Sequence, residues 1–461
     1  MSRVLFIVHD NLSHEPLGLE YVSASLLRAG HYTMACEESK ALETIADFNP
    51  DFLGFQVLTG DQDHWGKVAL SLKKKHPYIK NIFGGPHYLF FSQATQVGAD
   101  IIIRGEAEDA IVAAVEDKEW RMMVVQEDMA SVPFADRSLF YNNNFPGIKT
   151  NVIRNFIATR GCVYKCTYCY NSNESWQEMV GYGKSRIRTH SPQYVVEEID
   201  KVFTNYGGKL VSFQDDIFGT DIKWLEEFTK EYQRLRIPFF AQFRPKFITE
   251  DRIKLMKEAN VHIASFAIES GVEQTRKVIL DRMESNEEIY KASQLLHKYD
   301  IKFRMQNLLA LPVADPLQDA LETLKFNMKC KPTLSWCSLL QAYPGTKIAE
   351  YVVKIGMVKS QEDLMPMINA TFFDEGSLPI KDKHKIERLH KYWSAIVRWQ
   401  WLYPVVRVLI NFNLGHNLMK RIFEKSKQYI NQQEYWRVKE HEPIKVNASQ
   451  QLDRLGGELE R

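Results

Sequence analysis

The sequence predicts an α/β protein in three parts. An N-terminal doubly wound, Rossmann-like domain comes first, a central partial (β/α)6 barrel second, and a mainly helical region last. Three observations carry this reading. Short apolar runs alternate with helically spaced segments in two separate stretches; the alternation breaks between residues 131 and 150; and it disappears beyond about residue 350. Strands that alternate with helices are joined by crossovers, and so form parallel sheets.

Residues 1–130 form the first stretch. VLFIV (4–8), DFLGFQVL (51–58), NIFGG (81–85) and ADIIIRGE (99–106) read as strands buried on both faces. GLEYVSASLLRAGH (18–31) and HWGKVALSLKKKHP (64–77) carry helical spacing. Ligands of such sheets bind at the carboxyl ends of the strands. SVPFADRSLFYNNNFPGIKT (131–150) is rich in turn residues and reads as a linker. Residues 151–346 restart the alternation with NFIAT (155–159), KLVSFQD (209–215), FFAQF (239–243), HIASFAIE (262–269), KFRMQNLLAL (302–311) and LSWCSLLQA (334–342). Six such units suffice for an open barrel.

Residues 347–461 are mainly helical, and their polar end, VNASQQLDRLGGELER (446–461), is expected to fray. The apolar stretch YWSAIVRWQWLYPVVRVLINF (392–412) is broken by Arg398, Gln400, Pro404 and Arg407, so it is not a membrane span. It reads either as a buried helix pair capping the barrel or as an interfacial helix for a lipid-like substrate. With 59 basic against 58 acidic residues, charge gives no reason to expect a nucleic-acid partner. MSRVLFIVHD lacks the long apolar region of a signal peptide, so a cytoplasmic or membrane-peripheral protein is expected.

Six cysteines in 461 residues do not make a disulfide scaffold. Three of them, Cys162, Cys166 and Cys169, stand in the run ATRGCVYKCTYCYN (158–171), directly after a strand candidate. Three thiolates on one tight loop can ligate three irons of a cubane and leave the fourth open to a substrate or cofactor. Zinc would want a fourth ligand, and none stands nearby at a familiar spacing. Cys330 and Cys337 lie far downstream and read as core residues.

The C-x3-C-x-aromatic-C spacing, with Tyr168 as the aromatic, resembles the signature of the radical S-adenosylmethionine (SAM) superfamily. The resemblance implies a [4Fe–4S] cluster whose open iron is chelated by SAM. YPGT (343–346), SFAIESG (265–271) and NLLALP (307–312) resemble further segments of these enzymes, implying SAM contacts at Glu269, Ser270, Leu309 and Leu311. Many members carry Gly-Gly-Glu after the second strand to hold the SAM amino group. Here the place reads Gln214-Asp215-Asp216, which supplies either that carboxylate or an acidic pair at a helix start. Arg244 is a candidate partner for the SAM carboxylate, or else a surface salt bridge.

FGGPH (83–87) and RGEAE (104–108) resemble the cobalamin-binding domain that precedes the radical SAM domain in one subgroup. This implies cobalamin contacts at Gly84, Gly85, Pro86, Gly105 and Glu106, and at Gln56, Leu58 and Thr59 ending the preceding strand. Classical carriers ligate cobalt through Asp-x-His-x-x-Gly. Here His14 lies four residues after Asp10, so neither it nor His87 is assigned as a ligand.

The subgroup resemblance implies methyl transfer to an unactivated carbon. One SAM methylates cobalamin, and a second is cleaved at the cluster to a 5′-deoxyadenosyl radical that activates the substrate, a small molecule or peptide. An external donor such as flavodoxin or ferredoxin would supply the electron. Two other readings stay open: a radical cyclisation, rearrangement or oxidation, and a cobalamin- or tetrapyrrole-binding redox sensor with no catalytic role.

Overall fold

The computed structural model describes residues 1–413 apart from 92–93, 119–122, 127, 144, 174–175, 177–186, 369–372 and 374, together with 418, 421, 424 and 425. The polar stretch 446–461 lies outside the described residues.

The N-terminal sheet has five parallel strands: β1 (Arg3–Val8), β2 (Tyr32–Glu37), β3 (Phe52–Gln56), β4 (Lys80–Gly84) and β5 (Ile101–Ile102). Their order is β2-β1-β3-β4-β5, so the chain reverses direction across the sheet between β1 and β3. Helices α1 (Leu17–Arg28) and α4 (Glu108–Val115) pack on one face, α2 (Ala41–Phe48) and α3 (Gln62–Lys75) on the other. Burial on both faces explains the continuous apolar runs of β1 and β3. Strand β2 has no such run: it is an edge with only Ala35 and Cys36 buried, and the sequence pattern does not reveal it.

Residues 131–150 are not an extended linker. They hold two short helices, Ser138–Tyr141 and Pro146–Thr150; Leu139 and Phe140 of the first, Ile148 of the second and Phe145 just before it are buried in the same core as β1 and α1. The turn residues mark how short these helices are, while the apolar positions between them complete the N-terminal core.

The second sheet has six parallel strands: β6 (Ile153–Phe156), β7 (Leu210–Phe213), β8 (Phe239–Phe243), β9 (Val261–Glu269), β10 (Lys302–Leu309) and β11 (Leu334–Leu339). They run in chain order with β6 and β11 as the edges, an open half-barrel. Helices α5 (Pro192–Tyr206), α6 (Ile222–Tyr232), α7 (Glu250–Glu258), α8 (Asn286–Lys298) and α9 (Pro316–Cys330) join them. Side-chain caps start several of these helices; Ser285 and Glu288 form a reciprocal capping box on α8. Strand β6 ends earlier than its apolar run suggests, because Thr159–Arg160 leaves the sheet and pairs antiparallel with Arg188–Thr189. That short ribbon is the stem of the cysteine loop.

Beyond the barrel come α10 (Lys347–Lys354), α11 (Lys383–Arg398) and α12 (Tyr403–Leu409). Helix α11 is a core element: Ile386, Leu389, Trp393 and Ile396 are buried, and Trp393 Nε1 donates to Ser335 Oγ of β11 at 2.8 Å. The first half of the apolar stretch is thus a buried cap on the barrel. Its second half differs, with Trp401, Val405 and Val408 exposed. Among the described residues no helix is long and apolar enough to cross a membrane.

Candidate active site at the cysteine loop and the N-terminal sheet edge

The cysteine loop leaves its stem through Gly161, whose φ of +91° is a conformation glycine adopts without strain. Cys162 and Cys166 are buried and Cys169 is half-buried. A turn from Cys169 N to Cys166 O (3.0 Å) folds the loop on itself. Thr167 pins it to the barrel: its N–H donates to Leu280 O and its hydroxyl to Ile279 O, and its carbonyl accepts from Ile348 N of α10 at 2.9 Å. The YPGT segment sets up that last contact, because Thr346 caps α10 through its hydroxyl.

The donor set suits a cluster better than a single ion. Tetrahedral zinc with bonds of about 2.3 Å would hold its sulfurs about 3.8 Å apart. Among the described residues the only three His, Cys, Asp or Glu ligand atoms all within 4.8 Å of one another belong to His9, Glu38 and His64, on the other domain. The three thiols are therefore spread wider than one ion would draw them. Burial pushes the Cys162 thiol up to about 12 and raises that of Cys169 as well, so ligation would have to displace the protons.

Arg244, at the end of β8, is not a surface salt bridge. It is buried, with Nε and Nη2 each 2.7 Å from Glu284 Oε1 and Nη1 3.3 Å from Cys166 Sγ, and its guanidinium lies 3.8 Å over the Tyr164 ring. Arg282 is the second cation, with Nη1 4.0 Å from the same sulfur and 3.0 Å from the Tyr168 hydroxyl. That hydroxyl donates to Glu269 Oε1 at 2.6 Å. Burial would raise the Glu284 carboxyl, but Arg282 and Arg244 together hold it below the usual range. Arg282, Glu284 and Tyr164 escape sequence reasoning: the first two sit in an aperiodic loop after β9, and only the fold brings them to Cys166.

The remaining SAM candidates divide. Asp215 is buried and committed: its oxygens accept from Ala158 N, Thr159 N and the Thr159 hydroxyl at 2.6 to 3.1 Å. Burial raises it to about 7. It staples the stem of the cysteine loop and has no free edge for a ligand. Asp216 is exposed beside the loop and accepts from the Tyr170 hydroxyl at 2.7 Å and from Asn171 Nδ2 at 3.3 Å. Neither aspartate starts a helix; the next one begins at Ile222. Ser270 is fully buried and donates to Asp319 of α9, so it braces the end of β9 rather than facing a ribose. Leu309 and Leu311 are also buried, in the core shared with the C-terminal helices, on either side of Ala310 at φ +62°.

At the carboxyl edge of the N-terminal sheet the candidates divide again. Gly84 O accepts from Val57 N at 2.8 Å, and a Cβ on Gly84 would meet nothing closer than 3.7 Å. A Cβ on Gly85, at φ +108°, would lie 2.9 Å from both Val57 N and O. The Gly85 requirement is therefore internal: it lets β4 turn against the end of β3. Leu58 is 52% exposed, Pro86 is exposed and Gln56 and Thr59 are half-buried, so two apolar and two polar side chains stand open at this edge. His87 is buried, its Nδ1 3.4 Å from Thr59 Oγ1, and burial lowers it to about 4, which keeps it neutral. His14 is exposed, its Nδ1 2.8 Å from Ser13 Oγ.

Glu106 departs from its expected role. Both of its oxygens grip Arg188, at 2.6 and 2.9 Å, and Oε1 lies 3.6 Å from Arg160. Glu108 takes the other side of Arg160 at 2.6 Å. The RGEAE segment thus reaches the stem of the cysteine loop, and Gly105, at φ +84°, turns the chain toward it.

Comparisons with known proteins agree with this geometry. Residues 156–326 match the Radical SAM superfamily and residues 4–115 the B12 binding domain. The chain is 25% identical over 374 residues to an uncharacterized methyltransferase of Pyrococcus horikoshii, covering 73% of this chain and 78% of that protein. It is 21% identical over 367 residues to bacteriochlorophyllide d C-8(2)-methyltransferase of Chlorobaculum tepidum, covering 76% and 78%. Among solved structures it is similar to the radical S-adenosylmethionine methyltransferase TsrM of Kitasatospora setae with cobalamin and [4Fe–4S] cluster bound. The TM-score is 0.62 at 13% identity, over 93% of this chain and all of that one, a likeness of fold. A B12-binding sheet followed in one chain by a half-barrel that carries three cysteines on the loop after its first strand places this protein in the radical SAM superfamily, among the members with an N-terminal cobalamin-binding domain.

Proposed function

We propose that the protein is a cobalamin-dependent radical SAM methyltransferase that places a methyl group on an unactivated carbon. The observation that carries this reading is the union, in one chain, of a three-thiol loop with an open B12-type sheet edge. A cluster alone would serve any radical SAM reaction, whereas methylating a carbon that is no nucleophile calls for a second, methyl-carrying cofactor. When bound, the cluster with SAM would supply a 5′-deoxyadenosyl radical and cobalamin would supply the methyl group.

The chain's own residues hold and orient. Cys162, Cys166 and Cys169 would take three irons. Asp216 is the carboxylate free to meet the SAM amino group, and Arg244 is the cation for its carboxylate. Tyr168 and Glu269 flank the same position, while Asp215 and Ser270 act one layer back by fixing the loop stem and the end of β9. Leu309 and Leu311 back the adenine position from the core. Gln56, Leu58, Thr59, Gly84 and Pro86 would meet cobalamin.

Six unpaired cysteines fit a reducing cytoplasm, and the electron would come from an external one-electron donor protein. The test uses reconstituted enzyme, reductant and SAM with a deuterated methyl group, incubated with fractionated small molecules and peptides. The expected result is 5′-deoxyadenosine together with a product carrying the labelled methyl. A product that has lost hydrogens and gained no methyl would replace methyl transfer with cyclisation or oxidation. No 5′-deoxyadenosine under any condition would overturn the radical reading.

A further inference from the structure

The stem of the cysteine loop is held from the other domain, and the manner of holding is specific. Its two strands, Thr159–Arg160 and Arg188–Thr189, each present one arginine, and Arg188 stands opposite Arg160 in the register. Glu106 and Glu108 of the N-terminal domain meet both. Glu106 forms a two-pronged pair with Arg188 and lies 3.6 Å from Arg160, while Glu108 bonds Arg160 at 2.6 Å. Gln126 closes the group: its N–H donates to Glu106 Oε2, and its carbonyl accepts from Arg188 Nη1. All four charged side chains are largely buried, the most accessible of them 15% exposed. The Arg160 guanidinium also lies 5.2 Å over the Tyr21 ring of α1.

Planar guanidinium–carboxylate pairs fix direction as well as distance. Two antiparallel strands held by two such pairs can neither slide nor twist against the N-terminal domain without breaking one. Arg160 stands two residues before Cys162. Glu106 and Glu108 follow β5 at the carboxyl end of the N-terminal sheet, the end where a cofactor of that domain would sit.

We propose that Arg160 and Arg188, gripped by Glu106 and Glu108, are positioning residues that set the cysteine loop at a fixed reach from the cofactor edge of the N-terminal domain. They would thereby couple radical formation at one cofactor to group transfer from the other. This rests on the methyltransferase reading for its consequence, though not for its geometry. Misplacing reacting groups by about 1 Å can cost on the order of 100-fold in rate, whereas each half-reaction needs only its own cofactor.

The test compares wild type, Glu106→Gln/Glu108→Gln, and the charge reversal Glu108→Arg/Arg160→Glu, each loaded with cluster and cobalamin. Reduced cluster and cob(II)alamin are both paramagnetic, so pulsed dipolar electron paramagnetic resonance reads the span between them. Wild type should give one narrow distribution. The double glutamine variant should broaden or shift it while keeping its iron and cobalamin, and the reversal should narrow it again. In parallel, labelled methyl transferred per 5′-deoxyadenosine should fall about tenfold or more in the glutamine variant, with 5′-deoxyadenosine formation within about twofold of wild type.

An unchanged distribution in the glutamine variant would overturn the proposal. Loss of cobalamin from that variant, with amide exchange in residues 157–169 unchanged from wild type, would overturn the proposal and make Glu106 a cofactor contact instead. If wild type takes up no cobalamin, the methyltransferase reading fails separately. Amide exchange in residues 157–169 then still reads the grip: it should accelerate in the glutamine variant, and unchanged exchange would overturn the proposal.

Discussion

Two groups of ion pairs join the halves of this molecule, and they are built on opposite principles. The first is centred on Arg137, which is buried and faces three carboxylates: Glu15 and Glu20 at 3.1 Å and Glu198 at 4.0 Å. Its Nη2 also donates to Asn155 O at 2.6 Å, and its guanidinium lies 4.9 Å over the Phe156 ring of β6. The second is the Arg160–Arg188–Glu106–Glu108 group, with two cations for two acids and some access to water. The Arg137 group carries excess acid in a dry interior, and burial raises the Glu20 carboxyl to about 8. The balanced group holds the stem of the cysteine loop; the acid-rich one holds the root of the barrel's first strand. Rigidity is thus placed at the root, and orientation beside the chemistry.

Arg137→Met should have the largest effect on the comparison. It leaves three buried carboxylates with no cation and removes the donor to Asn155 O. Breaking a buried pair from one side typically costs about 3–5 kcal/mol. Denaturant unfolding should show a loss of that size for the joined N-terminal and barrel cores. A loss below about 1 kcal/mol would mean that the carboxylates are already neutral and that Arg137 holds nothing.

Glu108→Gln should have a smaller effect of a different kind. The amide keeps one acceptor for Arg160 but loses the charge, and water reaches the site, so about 1–2 kcal/mol is expected. Stability should change little compared with Arg137→Met, while the transfer of methyl per radical formed should change more. If both variants lost stability alike and kept the same coupling, the two groups would be one structural device and the contrast would collapse.

How much of this was legible in the sequence depends on how local each signal is. Parallel strands buried on both faces read as apolar runs, so ten of the eleven strands of the two sheets follow from composition and spacing; β2, an edge with only two buried positions, does not, and the run 99–106 overstates β5, which keeps two residues. The cysteines are legible because a chelating loop fixes its own spacing. Asp215 and Asp216 show where such reading stops. Successive residues on an extended chain point to opposite sides, so one is buried against the loop stem and the other is exposed. Both are carboxylates after the same strand, and the strand's exact end decides which is left exposed beside the cysteine loop. Glu106 shows the second limit: the same letters serve for gripping a partner domain and for contacting a cofactor, and only the placement of Arg188, 82 residues away in sequence, distinguishes them.

The subtlest prediction concerns the excess acid itself. Burial pushes the Glu20 carboxyl from its ordinary 4.5 up to about 8, with Arg137 working in the opposite direction and Glu15 and Glu198 raising it further. A group raised on folding contributes its stability below its unfolded value and loses it as pH rises through the folded one. Glu20 therefore favours the folded state at pH 4.5 and ceases to do so as pH climbs toward 8. Asp215, raised to about 7, slopes the same way, so the wild-type profile alone does not isolate Glu20. The difference between wild type and Glu20→Gln does. Glutamine keeps the shape of the protonated acid and cannot ionise, so the two proteins should be closest in stability near pH 5, and the variant should gain on wild type between pH 5 and 8. The gain per pH unit is bounded by one proton, about 1.4 kcal/mol. A variant that instead lost ground as pH rose would show that Glu20 is ionised against Arg137 in the folded protein. The acid-rich joint would then be a charged lock like its counterpart at the loop stem.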